Sequence, residues 1–185
     1  VRDLSKGQHH ATQPDAEARP VRVDDQWNRN PVLRFNGQGE FLRIKGQPLT
    51  GQEFTIICVV NDAGAPGHRE IISNWSAGNN VGSSLFLGLT ADKTVRFSDV
   101  FAAAGEITNR KKPFILSAVN HSSGAAVFQS GRPIAARAQP LALRKLGTEW
   151  IIGQQGNING EFWQGGIAEI RLYNQALSPV HRQLV

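Results

Sequence analysis

The segment GEFWQGGIAEIRLYNQALSP, residues 160–179, carries the strongest structural signal in the chain. An aromatic pair, Phe162-Trp163, leads into Gly165-Gly166 and then into an alternating run. Period-two alternation puts Ala168, Ile170 and Leu172 on one face of a strand and Glu169, Arg171 and Tyr173 on the other. Ile167 has the wrong parity for that pattern. Either both faces are partly covered there, or the glycine pair supports a bulge that shifts the phase. Ser178 before Pro179 reads as an N-cap and first helical residue, so a short terminal helix starts at that point.

Working back from this segment, short apolar runs alternate with turn-rich stretches. Phe54 to Val60 is almost continuously apolar and β-branched, which fits a strand covered on both faces in the middle of a sandwich. Glu70–Trp75, Ser84–Leu89, Thr94–Phe97, Phe114–Val119, Ala125–Gln129 and Glu149–Gly153 follow at intervals of roughly 10 residues, the cadence of a β-sandwich. Ser130-Gly131 supplies positive φ for a tight hairpin between Val127–Gln129 and Ile134–Ala136. Val32–Phe35, the Asn36-Gly37 turn and Glu40–Ile44 read as a strand pair. The first 30 residues lack a sustained period and read as an extended lead-in, with residues 1–19 outside the domain and 20–185 forming it.

The 185 residues suit a single core. With 40% hydrophobic and 19% charged residues the chain is globular rather than disordered. No apolar run approaches the ~20 residues that span a bilayer, so no membrane insertion is expected. Starting at Val1 and lacking Met altogether, the sequence reads as a piece of a longer chain. Cys58 is the single cysteine, which excludes an internal disulfide; within Ile56–Val60 it reads as a small buried hydrophobe. The net charge of +5 would favour polyanions. Its dense run, Arg110-Lys111-Lys112, has no interleaved aromatics to stack bases, so it reads as a solvated loop and nucleic acid is not an expected partner.

Trp150–Gly153 followed by Phe162–Ser178 resembles the ending of laminin-G-like domains of the concanavalin A-like lectin/glucanase superfamily. Pro31–Gly37 followed by Glu40–Leu42 looks like that family's Phe-Asp-Gly entry hairpin, with Asn36 in place of the usual Asp. Phe54–Ile56 and the Phe128–Arg132 hairpin fall in the matching order, so the likeness spans about residues 20–182. His68–Trp75 and Ile152–Asn157 further resemble laminin-G-like insert domains of large secreted planctomycete-type proteins that also carry haem c-binding domains. The resemblance implies an all-β fold, a jelly-roll sandwich of two antiparallel sheets, one of them concave. It also implies a non-catalytic module, in an extracellular or periplasmic setting, whose partners are a glycan or other domains of a larger parent chain.

Glycoside hydrolysis needs two carboxyls ~5–9.5 Å apart around the scissile bond. The sequence has no Glu-x-Asp-x-x-Glu strand, and Glu161 and Glu169 do not share a close strand face, so an acid pair would have to come from different strands. No enzyme is expected. Sugar binding uses exposed aromatic faces beside polar groups, because a pyranose offers both C–H and hydroxyl surface. The candidates are Trp75 and Trp163, with Trp27 as a further loop aromatic and His68, Arg69, Asn79 and Asn157 as polar partners. No cofactor is expected unless a rim Ca²⁺ is held by Asn61 and Asp62, with Asp92 and Asp99 in later loops, since hard oxygen ligands suit that ion. The competing reading makes these side chains turn caps. The alternative functions are a structural module that positions neighbouring domains and a polysaccharide-cleaving enzyme.

Overall fold

The computed structural model describes residues 1–75, 85–142, 149–156 and 158–185. Its strands in chain order are β1 (Ala11–Thr12), β2 (Val21–Trp27), β3 (Asn30–Asn36), β4 (Leu42–Lys45), β5 (Phe54–Val60), β6 (Arg69–Ser73), β7 (Phe86–Leu89), β8 (Val95–Phe97), β9 (Phe114–His121), β10 (Gly124–Gln129), β11 (Arg132–Arg137), β12 (Glu149–Ile152) and β13 (Gln164–Tyr173). One 3₁₀ turn, Asp99–Phe101, and one helix, α1 (Pro179–Leu184), complete the elements. The strands form a six-stranded sheet, β1-β4-β12-β6-β7-β8, and a seven-stranded sheet, β11-β10-β9-β5-β13-β3-β2. All pairings are antiparallel, and the fold is an all-β jelly-roll sandwich.

β5 lies at the centre of the seven-stranded sheet, between β9 and β13. Its inward residues Phe54, Ile56, Cys58 and Val60 are fully buried. Phe54 meets Phe97 of the opposite sheet edge-to-face, with ring centroids 5.8 Å apart, the offset that aromatic quadrupoles favour. Its outward face is covered at Thr55, whose hydroxyl donates to the Gln175 carbonyl at 2.9 Å and accepts from Leu177 N at 2.9 Å. Leu177 is buried there, and Arg182 of α1 lies 4.0 Å from the Phe128 ring centroid of β10. The expected N-cap forms: Ser178 accepts from His181 N, with Pro179 opening the helix.

The parity conflict in the closing strand is resolved by a bulge. Ile167 pairs with Val60 and Glu169 with Val59, so Ala168 is skipped in the ladder. Ile167, Ile170 and Leu172 thereby share the core face. The glycine pair acts just upstream, where a Cβ on Gly165 would overlap the Asn61 carbonyl. The Ser130-Gly131 hairpin also forms, both residues at positive φ between Gln129 and Arg132.

Val32–Phe35 and Glu40–Ile44 do not pair with each other. The Asn36 turn exists, with Gln38 N bonded to Asn36 Oδ1 at 2.7 Å. However, β3 belongs to the seven-stranded sheet and β4 to the six-stranded one, so residues 37–41 bridge the layers, a gap of ~10 Å in such sandwiches. Phe35 and Leu42 then enter the core from opposite sides. β3 pairs instead with β13 on one side and with β2 on the other, the latter joined through Asn28 and Arg29 at φ 49° and 63°, both left-handed. β2 is almost wholly exposed, which is why its sequence carries no hydrophobic period. Upstream, β1 within residues 1–19 pairs with β4.

Trp163 is fully buried at the core end of β13. Truncating it empties a large volume that the sheets cannot close over. Trp163→Ala is therefore expected to lose about 3–5 kcal/mol of stability, read as a lower urea midpoint at unchanged m-value.

Candidate functional site

The outward face of the six-stranded sheet holds two features. Along β4 and β12, ladder partners Arg43↔Ile151 and Lys45↔Glu149 alternate with the inward pair Ile44↔Trp150. A groove of about 430 Å³ runs over this part of the sheet, lined by Thr12, Arg43, Lys45, Gly46, Glu149 and Ile151. Its polar groups are open to solvent: the side chains of Arg43 and Glu149 are 50% and 70% exposed, and their nearest atoms are 4.0 Å apart. Phe41 extends the face, with the Arg43 guanidinium carbon 5.1 Å from its ring centroid. At the other end, Asn74 Nδ2 donates to the Glu149 carbonyl at 2.7 Å, tying the chain just after β6 to β12, and the next residue, Trp75, is half-buried.

The second feature is a charge cluster on β6 and β8. Arg96 Nη1 contacts both the Glu70 carboxylate and Glu161 Oε2, the latter at 2.7 Å. The segment carrying Glu161 closes on itself through Trp163 N to the Gly153 carbonyl, 2.9 Å, and is tied to β6 by Glu70 N to the Glu161 carbonyl, 2.9 Å. Gln155 adds a third tie, accepting from Ser73 Oγ at 2.8 Å. Room for the Glu70 carboxyl is made by Gly88, where a Cβ would overlap Glu70 Oε2 and the Arg69 carbonyl. Burial pushes Glu70 well above the ordinary carboxylate range; Arg96 pulls it down, while Glu161 and Asp99 push it up. His68 Nδ1 lies 3.6 Å from Glu161 Oε1 on the solvent side.

The sequence candidates are distributed differently from the expectation. Arg69 and Asp62 are both completely buried and bind each other bidentately, Nε to Oδ1 at 2.8 Å and Nη2 to Oδ2 at 2.7 Å. Arg69 Nη1 also donates to the Ala65 and Gly67 carbonyls, at 2.8 and 3.0 Å. Asp62 Oδ1 accepts from Gly64 N as well, and Arg110 approaches its Oδ2 at 3.5 Å. A guanidinium thus stands where a cation on Asp62 would sit, and Arg69 offers no free edge to a sugar. Asn61 is likewise spent, accepting from Gly166 N at 2.6 Å and donating to the Lys111 carbonyl at 3.0 Å. Trp163 is core and presents no ring face to solvent. Among the described residues, no group of three His, Cys, Asp or Glu side chains is arranged to hold a metal ion. Asn79 and Asn157 lie outside the described residues. The sequence reading missed the groove, because Arg43, Lys45 and Glu149 converge only through strand pairing. It also missed the meeting of Glu70 with Glu161. Cys58 is buried as its setting implied, and burial raises its thiol above its ordinary value.

No protein-family model matches the sequence, and no curated protein matches it. Solved structures share the fold. Domain 4 of AbnA, an extracellular arabinanase from Geobacillus stearothermophilus crystallised with arabinotriose, aligns with a TM-score of 0.59 at 13% identity, over 88% of this chain and 78% of that one. A heptameric SAP-like pentraxin from Limulus polyphemus aligns at 0.62 and 16% identity, over 83% of this chain and 80% of that one. A Trypanosoma rangeli sialidase bound to sialic acid aligns at 0.62 and 15% identity, where 82% of this chain matches 27% of the enzyme. These likenesses establish the sandwich fold. Among the described residues no helix is long and apolar enough to cross a membrane.

Removing Asp62 leaves the Arg69 charge buried without its counter-ion. Asp62→Ala is expected to cost about 3–5 kcal/mol in urea unfolding, with much of the loss recovered in Asp62→Leu/Arg69→Met. For Glu70 the folded state raises the carboxyl above its unfolded value, 4.5 for the free group. Its contribution is therefore fully present below that value and is lost as pH rises from there toward the folded pKa. Melting curves between pH 4.5 and 8 should show a decline in the native protein that Glu70→Gln flattens.

Proposed function

We propose that this domain is a non-catalytic carbohydrate-binding module of the laminin-G-like type, carried by a larger secreted or cell-surface protein. The observation that carries the reading is the groove across β1, β4 and β12. It combines cationic and anionic side chains with an adjoining aromatic, at a volume within the ~300–1,000 Å³ typical of small-ligand sites. A pyranose ring presents hydroxyls to Arg43, Lys45 and Glu149 and its C–H surface to the apolar Ile151 in the lining. The neighbours in fold, among them an arabinanase domain crystallised with arabinotriose, support a carbohydrate ligand. Trp75, half-buried just after β6, stays a candidate platform.

Two features support a binding rather than a cleaving role. The convergent carboxyls are both held on Arg96, and Glu70 is sealed from solvent, so it reaches no substrate. Glu149 is the acidic side chain in the groove lining, and one carboxyl cannot supply both halves of the acid–base pair that glycosidases use. Asp62 and Asn61 are engaged within the protein, so binding is proposed to proceed without calcium.

A glycan array on the isolated domain tests the reading. Binding to a defined glycan set is expected, unchanged by EDTA, lost by about tenfold or more in Arg43→Ala, and accompanied by no release of reducing ends. A silent array, with binding found instead in a flanking domain of the parent chain, would support a positioning module and overturn the reading.

A further inference from the structure

The groove is electrostatically unbalanced. Arg43 and Lys45 occupy alternate positions on β4, so both side chains project from the same face, ~7 Å apart along the strand. Glu149 stands directly opposite Lys45 in the ladder. Yet among the described residues its carboxylate makes no ion pair with Lys45, and its one charged contact is Arg43 Nη1 at 4.0 Å, the outer limit of such a pair. The Lys45 ammonium has no partner among the described residues. Among the described residues two cations therefore face one anion, in a chain whose net charge is +5.

Arg43 is also oriented. Its guanidinium carbon lies 5.1 Å from the Phe41 ring centroid, the arrangement in which cation and ring face attract. Among the described residues its N–H groups make no hydrogen bond, the nearest acceptor being Glu149 at 4.0 Å, so these donors are available. An in-plane fork of N–H donors matches a carboxylate bidentately, whereas the exposed Glu149 contact at 4.0 Å makes only a weak surface pair. An incoming carboxylate can take the Arg43 edge, and Lys45 supplies a second point charge one strand step away.

Resting on the carbohydrate-binding reading above, we infer that this groove selects acidic glycans, in which a uronic-acid carboxylate pairs with Arg43 and Lys45. Glu149 acts as a competing internal anion that lowers the affinity for such ligands. Neutral sugars retain the hydroxyl and C–H contacts and lose the charge-assisted ones.

Matched oligogalacturonates, de-esterified and fully methyl-esterified, are the probes, titrated calorimetrically into the whole domain at low and moderate NaCl. The acid form is expected to bind at least about tenfold more tightly, with the advantage shrinking as salt rises. Lys45→Gln and Arg43→Gln should each erase most of the difference between acid and ester, whereas Glu149→Gln should raise acid affinity several-fold. These side chains are exposed, so folding is checked by an unchanged melting temperature. The acid–ester comparison needs no variant at all. Alginate and hyaluronate oligomers extend the test to other uronates. Equal binding of acid and ester would overturn the acid selectivity and leave the carbohydrate reading intact. Failure of every uronate while neutral glycans bind would do the same. Failure of all glycans would overturn both.

Discussion

The structure depends on the burial of one sheet's inner face against the other. Inward residues of β5 and β13 have no other way to leave water than to meet those of β4, β12, β7 and β8, and Phe54 against Phe97 marks the contact at its centre. Burying apolar surface at roughly 25 cal/mol per Å² makes this the dominant favourable term. Everything outside that interface is arranged to let it form. The Ala168 bulge rephases β13 so that Ile167, Ile170 and Leu172 all reach it. The bridge over residues 37–41 delivers Phe35 and Leu42 to opposite walls of the same core.

The outward faces of the two sheets are treated differently. On the seven-stranded sheet the C-terminal tail is laid over β5 through Thr55 and over β10 through Arg182 on Phe128. On the six-stranded sheet, β6 to β8 are capped by polar chemistry: Arg96 gathers Glu70 and Glu161, and Gln155 meets Ser73. A charged group taken out of water needs such partners, since desolvation would otherwise cost several kcal/mol. The described residues leave open the stretch over β1, β4 and β12, and the groove lies there. The same strands that build the core with Ile44 and Trp150 present Arg43, Lys45 and Glu149 outward, because side chains alternate along a strand. Fold and candidate site are thus two faces of one pairing.

The buried ion pair of Asp62 and Arg69 shows how a residue type can mislead. An Asn-Asp step entering a glycine-rich loop has the chemistry of a calcium rim, and an arginine beside a tryptophan-containing strand has the chemistry of a sugar site. Both are used to close the loop between β5 and β6, since Arg69 also collects the Ala65 and Gly67 carbonyls. The donors and acceptors that would recognise a ligand recognise each other first.

Local pattern alone determined much of this protein. Continuous apolar character marked β5, Ser130-Gly131 marked a hairpin, Ser178-Pro179 marked the start of α1, and the misplaced Ile167 marked a break of phase open to a bulge or to two covered faces, because each depends on neighbours within a few residues. β2 was silent since an exposed edge strand needs no hydrophobic period. The Asn36-Gly37 turn was legible, but not that it joins two sheets, since a turn's local geometry does not name the strand's partner. Likewise no spacing in the chain links Arg43 and Lys45 to Glu149, or Glu70 to Glu161. Those neighbourhoods are made by hydrogen-bond ladders and by a loop folding back, interactions between residues far apart in sequence, and only the tertiary structure could decide them.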